Sequence, residues 1–293
     1  LNARNFLAKD FKSKKVIGKK LEEEFPLVSF VGRGSEKNRE PLLCEFTHKN
    51  KKSKKKVILI GKGVTFDTGG LNLKLGNGMS LMKKDMGGAA NSIGLANLIS
   101  QSSNNFELVL LLALVENSVS AKSMRPSDIV RSRKGDYIEI GDTDAEGRLI
   151  LADAITYALE LKPDLIIDLA TLTGASRVAL GTEVPSFFTN DEEIAEKITY
   201  SSNLVGDPLW RLPLWENYEN QLVSAHADFK NIGNSSFGGA ITAALFLKKF
   251  VKDISWVHVD MMAWTRPNNF SSYEGGEAMG IRALLHFLLN NYN

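Results

Sequence analysis

The sequence predicts an α/β layer fold. The apolar run Leu108–Val115 and the segment Asp164–Ala170 are typical of strands that are covered on both faces. Segments whose small and apolar residues recur at helical spacing alternate with such strands, and this alternation favours helices layered on a sheet. The chain has 293 residues, 43% apolar and 24% charged, which is enough for a substantial core and ordinary for a globular protein.

The individual elements follow one another along the whole chain. Strands are predicted at Phe25–Val31, Leu42–Phe46, Val57–Ile60, Leu108–Val115, Tyr137–Ile140, Asp164–Ala170 and Trp256–Met261. Helices are predicted at Met86–Ser100, Gly147–Leu161, Ile194–Leu204, Ile241–Val251 and Ile281–Leu289. No linker or repeat occurs from residue 57 onward, so we expect one domain over residues 57–293. Residues 1–56 are expected to be a lead-in segment that packs on it.

Composition and charge exclude several classes of protein. No apolar run reaches the roughly 20 residues that cross a bilayer, so no membrane partner is expected. Leu1–Asp10 lacks the pattern of a secretory signal, and Cys44 is the single cysteine, which together predict a cytoplasmic protein. The basic block Lys49–Lys56 has no interleaved aromatic residues. It is therefore interpreted as a solvated hairpin loop between strands, and a nucleic-acid partner is not expected.

Three segments place charged residues where a core-building sequence would not. They are Gly61–Gly70 with Lys74 beyond it, Met82–Ala90, and Asp142–Arg148. Each follows or begins near a predicted buried element, and the first is interpreted as a glycine-rich loop after the strand Val57–Ile60. Sites in open α/β sheets form in the loops at strand ends, so these segments are the candidate site.

The third segment offers carboxylates at alternate positions. Asp142, Asp144 and Glu146 would point the same way in an extended stretch, and three like charges repel unless a cation lies between them. Hard oxygen ligands suit divalent cations. A histidine-ligated zinc site is not expected, because the four histidines are scattered and no H-E-x-x-H helix occurs.

A calcium loop is the rival interpretation of that segment. Its acidic residues and Gly147 fit the first half of an EF-hand pattern. Against it, position twelve is Asp153 instead of the usual glutamate, and the preceding residues predict a strand instead of a helix.

The first segment also has more than one interpretation. Gly61 to Gly63 after a strand could cradle a phosphate, but the order of a P-loop is absent. Lys62 and Lys74 could each pair with Asp67. Alternatively, a lysine in a desolvated, cation-rich site loses its proton readily, and a neutral amine can bind a metal ion.

Taken together, the three segments resemble the signatures of the leucyl aminopeptidase (cytosol aminopeptidase) family, nearest the peptidase B branch. The family hallmark N-T-D-A-E-G-R-L is matched by Asp142–Leu149, the metal-binding lysine loop by Gly61–Gly70, and D-M-G-G-A-A by Asp85–Ala90. Further matches are Asp168–Gly174, Trp210–Pro213, Val31–Ser35 and the region from Gln221 to Ala244. The resemblance implies a three-layer catalytic domain with a mixed central sheet and helices on both faces.

The resemblance also implies a set of metal ligands. One divalent ion, the tighter, would be held by Lys62, Asp67, Asp85 and Glu146. The second, more exchangeable ion would be held by Asp67, Asp144 and Glu146. Zn²⁺ or Mn²⁺ would be the ions, with Mg²⁺ or Co²⁺ as alternatives.

Catalysis and substrate binding are implied in the same way. Lys74 and Arg148 would be the catalytic residues, with Lys74 facing the oxyanion and Arg148 anchoring a bicarbonate that acts as general base. The backbone at Leu172 would help to hold this anion. Two ions about 3.5–4 Å apart would share a water and lower its pKa. The expected activity is hydrolysis of the N-terminal residue of peptides.

Specificity and assembly complete the expectations. Met82, Thr171 and Gly174 would form an apolar wall that favours Leu or Met as the first residue, with broad specificity. The family assembles as hexamers of two stacked trimers, so a homohexamer is expected. The alternatives are a binding protein without activity, since some relatives bind DNA, and a phosphate-handling magnesium enzyme.

The sequence departs from the family pattern in three respects. Asp142 replaces the family's Asn beside the metal ligands and adds a negative charge. Gly78 and Ser80 stand where relatives often have Asn and Asp, which affects loop packing near Lys74. We expect the family's separate N-terminal domain to be missing, because the sequence begins near the domain junction.

Overall fold

The computed structural model describes residues 3–49, 53–267 and 273–293. Its strands are β1 (Lys12–Ile17), β2 (Leu42–His48), β3 (Lys55–Asp67), β4 (Phe106–Asn117), β5 (Ile129–Arg131), β6 (Tyr137–Glu139), β7 (Leu165–Ala170), β8 (Ser186–Thr189), β9 (Trp210–Arg211), β10 (Phe229–Lys230), β11 (Ser255–Asp260), β12 (Trp264–Thr265) and β13 (Gly275–Gly276). Its α-helices are α1 (Gly18–Glu24), α2 (Pro26–Gly32), α3 (Gly87–Gln101), α4 (Gly147–Glu160), α5 (Gly174–Leu180), α6 (Glu192–Val205), α7 (Gly239–Lys248) and α8 (Ile281–Asn291).

A mixed eight-stranded sheet forms the centre of the molecule, with strand order β1-β2-β4-β3-β7-β11-β8-β9. The strands β4, β3, β7 and β11 are mutually parallel, whereas β2 runs antiparallel to β4 and β8 antiparallel to β11. A smaller sheet has the order β10-β6-β5, and β12 pairs with β13. The mixed central sheet of the predicted fold class is thus confirmed.

Helices cover both faces of this sheet, as predicted. Val57 and Leu59 of β3 pack in one hydrophobic cluster with residues of α3, α6 and α8. Ile58 and Ile60 pack in the other cluster with residues of α2, α4 and α7. A continuous apolar strand is required here, because successive side chains point to opposite faces and both faces are buried.

The N-terminal segment contributes β1 and β2 to the same sheet, with α1 and α2 between them. The division at residue 56 stays a prediction. The predicted strand Phe25–Val31 is wrong, because Phe25 is the N-cap of α2 and the other residues lie in this helix. Pro26 occupies the first turn, where its missing N–H costs nothing, and Leu27, Val28 and Val31 form one buried helical face.

The strands on either side of the basic block, β2 and β3, both pair with β4, so they are not the two strands of a hairpin. Asn50, Lys51 and Lys52 of this block lie outside the described residues.

No helix in the described part of the chain is long and apolar enough to span a membrane.

Candidate metal centre

The three charged segments meet at one edge of the central sheet. Asp67 ends β3, Thr171 follows β7 and Asp260 ends β11, so the carboxyl ends of three parallel strands lie side by side. A cavity of about 480 Å³ opens there, and residues of all three segments line it. This is the position at which open α/β sheets bind ligands.

Lys62 lies inside β3, so the predicted loop Gly61–Gly70 is a strand as far as Asp67. The flanking glycines serve close packing. A Cβ on Gly61 would lie 2.6 Å from the Cα atom of Ala89 in α3, and a Cβ on Gly63 would lie 2.9 Å from the carbonyl oxygen of Ala113 in β4. The close approach of α3 and β4 to β3 therefore explains the glycines. The interpretation as a phosphate-binding loop is not supported, because Gly61–Gly63 lie inside a strand.

The Lys62 side chain is almost fully buried between two carboxylates. Its Nζ atom lies 2.8 Å from Asp85 Oδ2 and 3.0 Å from Glu146 Oε1, and it donates a hydrogen bond to the Thr171 carbonyl at 3.0 Å. A Cβ on Gly147 would lie 2.7 Å from Lys62 Cε. Glycine at the start of α4 therefore makes the room in which the lysine reaches the site.

Asp67 is oriented from several directions. Its Oδ1 atom accepts hydrogen bonds from the Gly69 N–H at 2.9 Å and from Asn117 Nδ2 at 2.8 Å. Its Oδ2 atom lies 2.7 Å from Lys74 Nζ, which also contacts Asp144 Oδ1. Lys74 thus pairs with Asp67, as one interpretation proposed, whereas Lys62 pairs with Asp85 and Glu146.

The segment from Asp142 to Glu146 is a turn, so the alternation expected of an extended stretch is wrong. The Ala145 N–H bonds the Asp142 carbonyl, and Asp142 Oδ1 accepts the Asp144 N–H at 2.8 Å. Asp142 therefore stabilises the turn, and Asp144 and Glu146 approach Asp67 instead.

The charges of this cluster displace its pKa values. Burial and the charge of Asp67 raise the pKa of Glu146 to about 8 and that of Asp144 to about 6. Burial also acts to raise the pKa of Asp67, but the ammonium groups of Lys62 and Lys74 outweigh it and hold this pKa below its ordinary value. Both lysines have raised pKa values, since the carboxylates outweigh their burial. Carboxylates packed this densely need cations close by.

The donor set fits divalent metal ions. Carboxylate oxygens of Asp67, Asp144 and Glu146 all lie within 4.8 Å of one another. Two further oxygens are buried without a hydrogen bond, Glu146 Oε2 and Asp85 Oδ2, the latter being at ion-pair distance from Lys62 but outside hydrogen-bonding geometry. A buried carboxylate oxygen such as Glu146 Oε2, which has neither a hydrogen bond nor an ion pair with Lys62 through that atom, is costly unless another cation binds it.

The calcium-loop interpretation is wrong, because Asp153, the residue at position twelve of the EF-hand pattern, does not face the turn. Asp153 accepts hydrogen bonds from the Leu27 and Arg133 N–H groups and is buried away from the turn. The element before the turn is the strand β6, as predicted. None of the four histidines lines the cavity, which agrees with the expectation of a site without histidine ligands.

Arg148 and Leu172 both line the cavity. Arg148 is 7% exposed, and its Nη1 atom donates to the Asn231 carbonyl at 2.7 Å. Burial lowers the pKa of its guanidinium to about 10. The N–H of Leu172 donates to Asp260 Oδ1 at 2.9 Å, so this backbone donor is already engaged.

The predicted apolar wall is more polar than expected. Met82, Thr171 and Gly174 do line the cavity. However, the Thr171 hydroxyl donates to Asp85 Oδ1 at 2.7 Å, so Thr171 orients a carboxylate. Two cations, Lys84 and Arg177, line the same cavity, and burial lowers the pKa of Lys84 to about 8.

The sequence analysis missed several residues that shape the site. Asn117 orients Asp67 and lies opposite it in the register of β3 and β4. The sequence could have indicated Asn117, because polar residues at the carboxyl ends of adjacent parallel strands meet at the same edge of the sheet. Asn231 accepts the Gly141 and Asp142 N–H groups and donates to the Asp142 carbonyl. It follows the short strand β10, which is distant in the sequence, and no local pattern could have indicated it.

A sequence profile described as the cytosol aminopeptidase family, catalytic domain, matches residues 3–285. The chain belongs to this family. It is 42% identical over 288 residues to a probable cytosol aminopeptidase of Nostoc punctiforme, covering 97% of this chain and 58% of that protein. It is 44% identical over 263 residues to a probable cytosol aminopeptidase of Persephonella marina, covering 89% and 52% of the two chains.

A solved structure agrees with these relatives. The crystal structure of cytosol aminopeptidase from Coxiella burnetii superposes with a TM-score of 0.94 at 46% identity, covering 99% of this chain and 63% of that one. The sequence resemblance to the cytosol aminopeptidase family is thereby confirmed. The chain spans between 52% and 58% of the length of these two curated relatives.

Proposed function

We propose that this chain is the catalytic part of a metal-dependent aminopeptidase that hydrolyses the N-terminal residue of peptides. One observation supports the proposal most strongly. The five proposed ligand side chains, from three separate segments, converge on one cavity, and the buried Glu146 Oε2 atom among them has no hydrogen bond. Family membership supports the same activity.

The proposed ligands divide between two ions. Lys62, whose ammonium would give up its proton when the ion binds, would hold the tighter ion together with Asp67, Asp85 and Glu146. Asp67, Asp144 and Glu146 would hold the more exchangeable one. Bound divalent ions, Zn²⁺ or Mn²⁺ with Mg²⁺ or Co²⁺ as alternatives, supply Lewis acidity that lowers the pKa of water and polarises a carbonyl. The Thr171 hydroxyl and the Asn117 amide hold Asp85 and Asp67 in position.

Lys74 and Arg148 are the proposed catalytic residues. The Lys74 side chain is 14% exposed at the cavity, where its ammonium can donate to an oxygen that becomes negatively charged. Arg148 is a buried cation without an ion pair in the described part of the chain, which fits an anion such as bicarbonate. Bicarbonate would supply a proton acceptor there. Because the Leu172 N–H is engaged by Asp260, Arg148 would carry most of this binding.

Met82 lines the cavity as an apolar residue, and it supports cleavage after Leu or Met as the first residue. One methylene contributes only about 1–3 kcal/mol to such discrimination, so a broad range of first residues is expected. We also propose that the protein assembles as a homohexamer of two stacked trimers. We propose a cytoplasmic location, which agrees with the name cytosol aminopeptidase of its relatives.

Metal removal tests the function. Treatment with EDTA should abolish hydrolysis of leucine amide, and Mn²⁺, Zn²⁺ or Co²⁺ should restore it. Asp85→Asn and Glu146→Gln should lower the metal content below two ions per chain, as measured by elemental analysis. The exposed Glu22→Gln is the matched control and should retain full occupancy. Active protein that contains no divalent metal would refute the proposal.

A further inference from the structure

Asp260, the last residue of β11, holds the loop that connects β7 to α5. It is 1% exposed. Its Oδ1 atom accepts the Leu172 N–H at 2.9 Å, and its Oδ2 atom accepts the Thr173 N–H at 3.0 Å and the Thr173 hydroxyl at 2.6 Å. The Thr173 hydroxyl accepts the Ser176 N–H in turn, which caps α5. One buried carboxylate therefore fixes the backbone and a side chain of this loop.

The opposite side of the same loop faces the proposed metal ligands. The carbonyl of Thr171, the first residue of the loop, accepts a hydrogen bond from Lys62 Nζ at 3.0 Å, and the Thr171 hydroxyl donates to Asp85 Oδ1 at 2.7 Å. Thr171 directly precedes Leu172, so a shift of the backbone bound by Asp260 moves both contacts. The loop thus connects a carboxylate outside the proposed ligand set to two members of that set.

We propose that Asp260 is a positioning residue for the tighter metal site. The inference rests on the ligand set of the proposed function. A neutral lysine amine binds a metal ion through its one lone pair, and the hydrogen bond from Lys62 to the Thr171 carbonyl orients this amine. Removal of groups that orient ligands in this way costs about 10- to 100-fold in metal affinity or activity.

A carboxylate suits this loop because every group that reaches it is a donor. Both oxygens of Asp260 accept, and neither has to donate. Asp260→Asn keeps the size of the side chain but replaces one oxygen with an amide nitrogen that carries donors of its own. In one orientation of the amide the Thr173 hydroxyl loses its acceptor, and in the other the Leu172 N–H does. The substitution should therefore release part of the loop.

The test measures metal affinity directly. The metal-loaded protein is dialysed against EDTA-buffered Mn²⁺ at a series of free concentrations, and elemental analysis gives the Mn²⁺ retained per chain. Asp260→Asn should weaken binding at the tighter site by about 10- to 100-fold. The kcat for leucine amide should fall at limiting Mn²⁺ and recover in large part at saturating Mn²⁺.

Asp207→Asn is the matched control. Asp207 is 3% exposed and accepts the N–H groups of Gly280, Arg282 and Ala283 at the start of α8, and it does not line the metal-site cavity. This substitution also deprives buried donors of an acceptor. It should lower the free energy of unfolding in urea and leave the affinity for Mn²⁺ unchanged.

A double substitution separates positioning from a loss of stability. Thr171→Val removes the hydroxyl that holds Asp85, so it should weaken the tighter site by itself. If Asp260 acts through Thr171, the two substitutions together should weaken Mn²⁺ binding by less than the product of their separate effects. Effects that multiply would overturn the route through the loop.

Thr173→Val tests the same contact while the carboxylate stays in place. It removes one donor to Asp260 and should weaken Mn²⁺ binding by about 3- to 10-fold, as the loss of one hydrogen bond does. Thr173→Ser keeps the hydroxyl and should restore the affinity. The positioning role is overturned if Asp260→Asn and Thr173→Val both bind Mn²⁺ as tightly as the unmodified protein.

The two proposals fail in different ways. If leucine amide is not hydrolysed although Asp260→Asn weakens Mn²⁺ binding as expected, the proposed function fails and the positioning role stands. If the unmodified protein hydrolyses leucine amide and both variants keep its affinity for Mn²⁺, the positioning role fails alone.

Discussion

Lys62 and Lys74 carry the same charge but contact different carboxylates. Lys62 lies inside a strand, buried between Asp85 and Glu146, whereas Lys74 lies at the cavity beside Asp67 and Asp144. Lys62→Ala should weaken occupancy of the tighter metal site, so that higher metal concentration partly restores activity. Lys74→Ala should retain both ions and most of its substrate affinity but lose kcat by on the order of 10²-fold or more.

Metal titration with kcat and KM followed at each concentration checks this prediction. Lys83→Ala, which removes an exposed charge outside the cavity, is the control. The two roles are reversed if added metal rescues Lys74→Ala while Lys62→Ala binds both ions normally.

At the scale of elements, α3 approaches the central sheet more closely than a side chain permits. A Cβ on Gly88 would lie 2.1 Å from the Leu169 carbonyl oxygen in β7, so Gly88→Ala forces the backbone apart. We expect it to lower the free energy of unfolding by about 1–3 kcal/mol or more. Denaturation in urea measures this change.

Gly94 in the same helix is the matched control. A Cβ there would be 3.6 Å from Ile281 Cδ1, which is ordinary contact distance. Gly94→Ala should therefore raise the free energy of unfolding by about 0.5–1 kcal/mol through helix propensity. Equal effects of the two substitutions would show that close packing of α3 does not require Gly88.

A second prediction at this scale concerns the neighbouring strands β7 and β11. His258 of β11 lies 2.5 Å from Asp168 of β7, and although burial disfavours the charged imidazole, Asp168 raises the His258 pKa above its ordinary value of 6.5. The folded state therefore binds the proton more tightly than the unfolded state. The stabilisation is fully present below pH 6.5 and is lost as pH rises through the raised pKa.

Asp168→Asn removes the charge that holds this proton. The difference in free energy of unfolding between the unmodified protein and Asp168→Asn should thus be larger at pH 6 than at pH 9. Denaturation in urea at both values measures it, with the exposed His226→Gln as a control that keeps the original pH dependence. A difference that is independent of pH would contradict the charge coupling.

At the scale of the whole molecule, the prediction is a hexamer of two stacked trimers. Three apolar side chains, Leu75, Val178 and Phe237, are 91%, 89% and 82% exposed, and each lines the cavity or adjoins a residue that does. Contiguous exposed apolar patches mark surfaces that meet other proteins, and the hexamer prediction requires these side chains to be covered in such a patch. Light scattering should report six times the chain mass of 32.3 kDa, and a fully active monomer at low concentration would refute the assembly.

Much of the architecture follows from the sequence alone. The apolar runs that became β3, β4 and β7 had to be buried on both faces, because alternate side chains of a strand point to opposite sides. The helical periodicities likewise predicted α3, α4 and α8 to within a few residues. The three charged segments stood out because they place charged residues where a core-building sequence would not, and the resemblance to the family then implied that Asp67, Asp85 and Glu146 are metal ligands.

Only the tertiary structure decided how these residues act on one another. Phe25–Val31 is apolar enough for a strand, and its packing face together with Pro26 makes it a helix. Asp142 shares the spacing of Asp144 and Glu146 but stabilises their turn, because the chain bends there. Lys84 and Arg177 are ordinary charges in the sequence. They line one cavity because the segment before α3 and the helix α5 after β7 meet there, and residues so distant in the chain leave no local pattern.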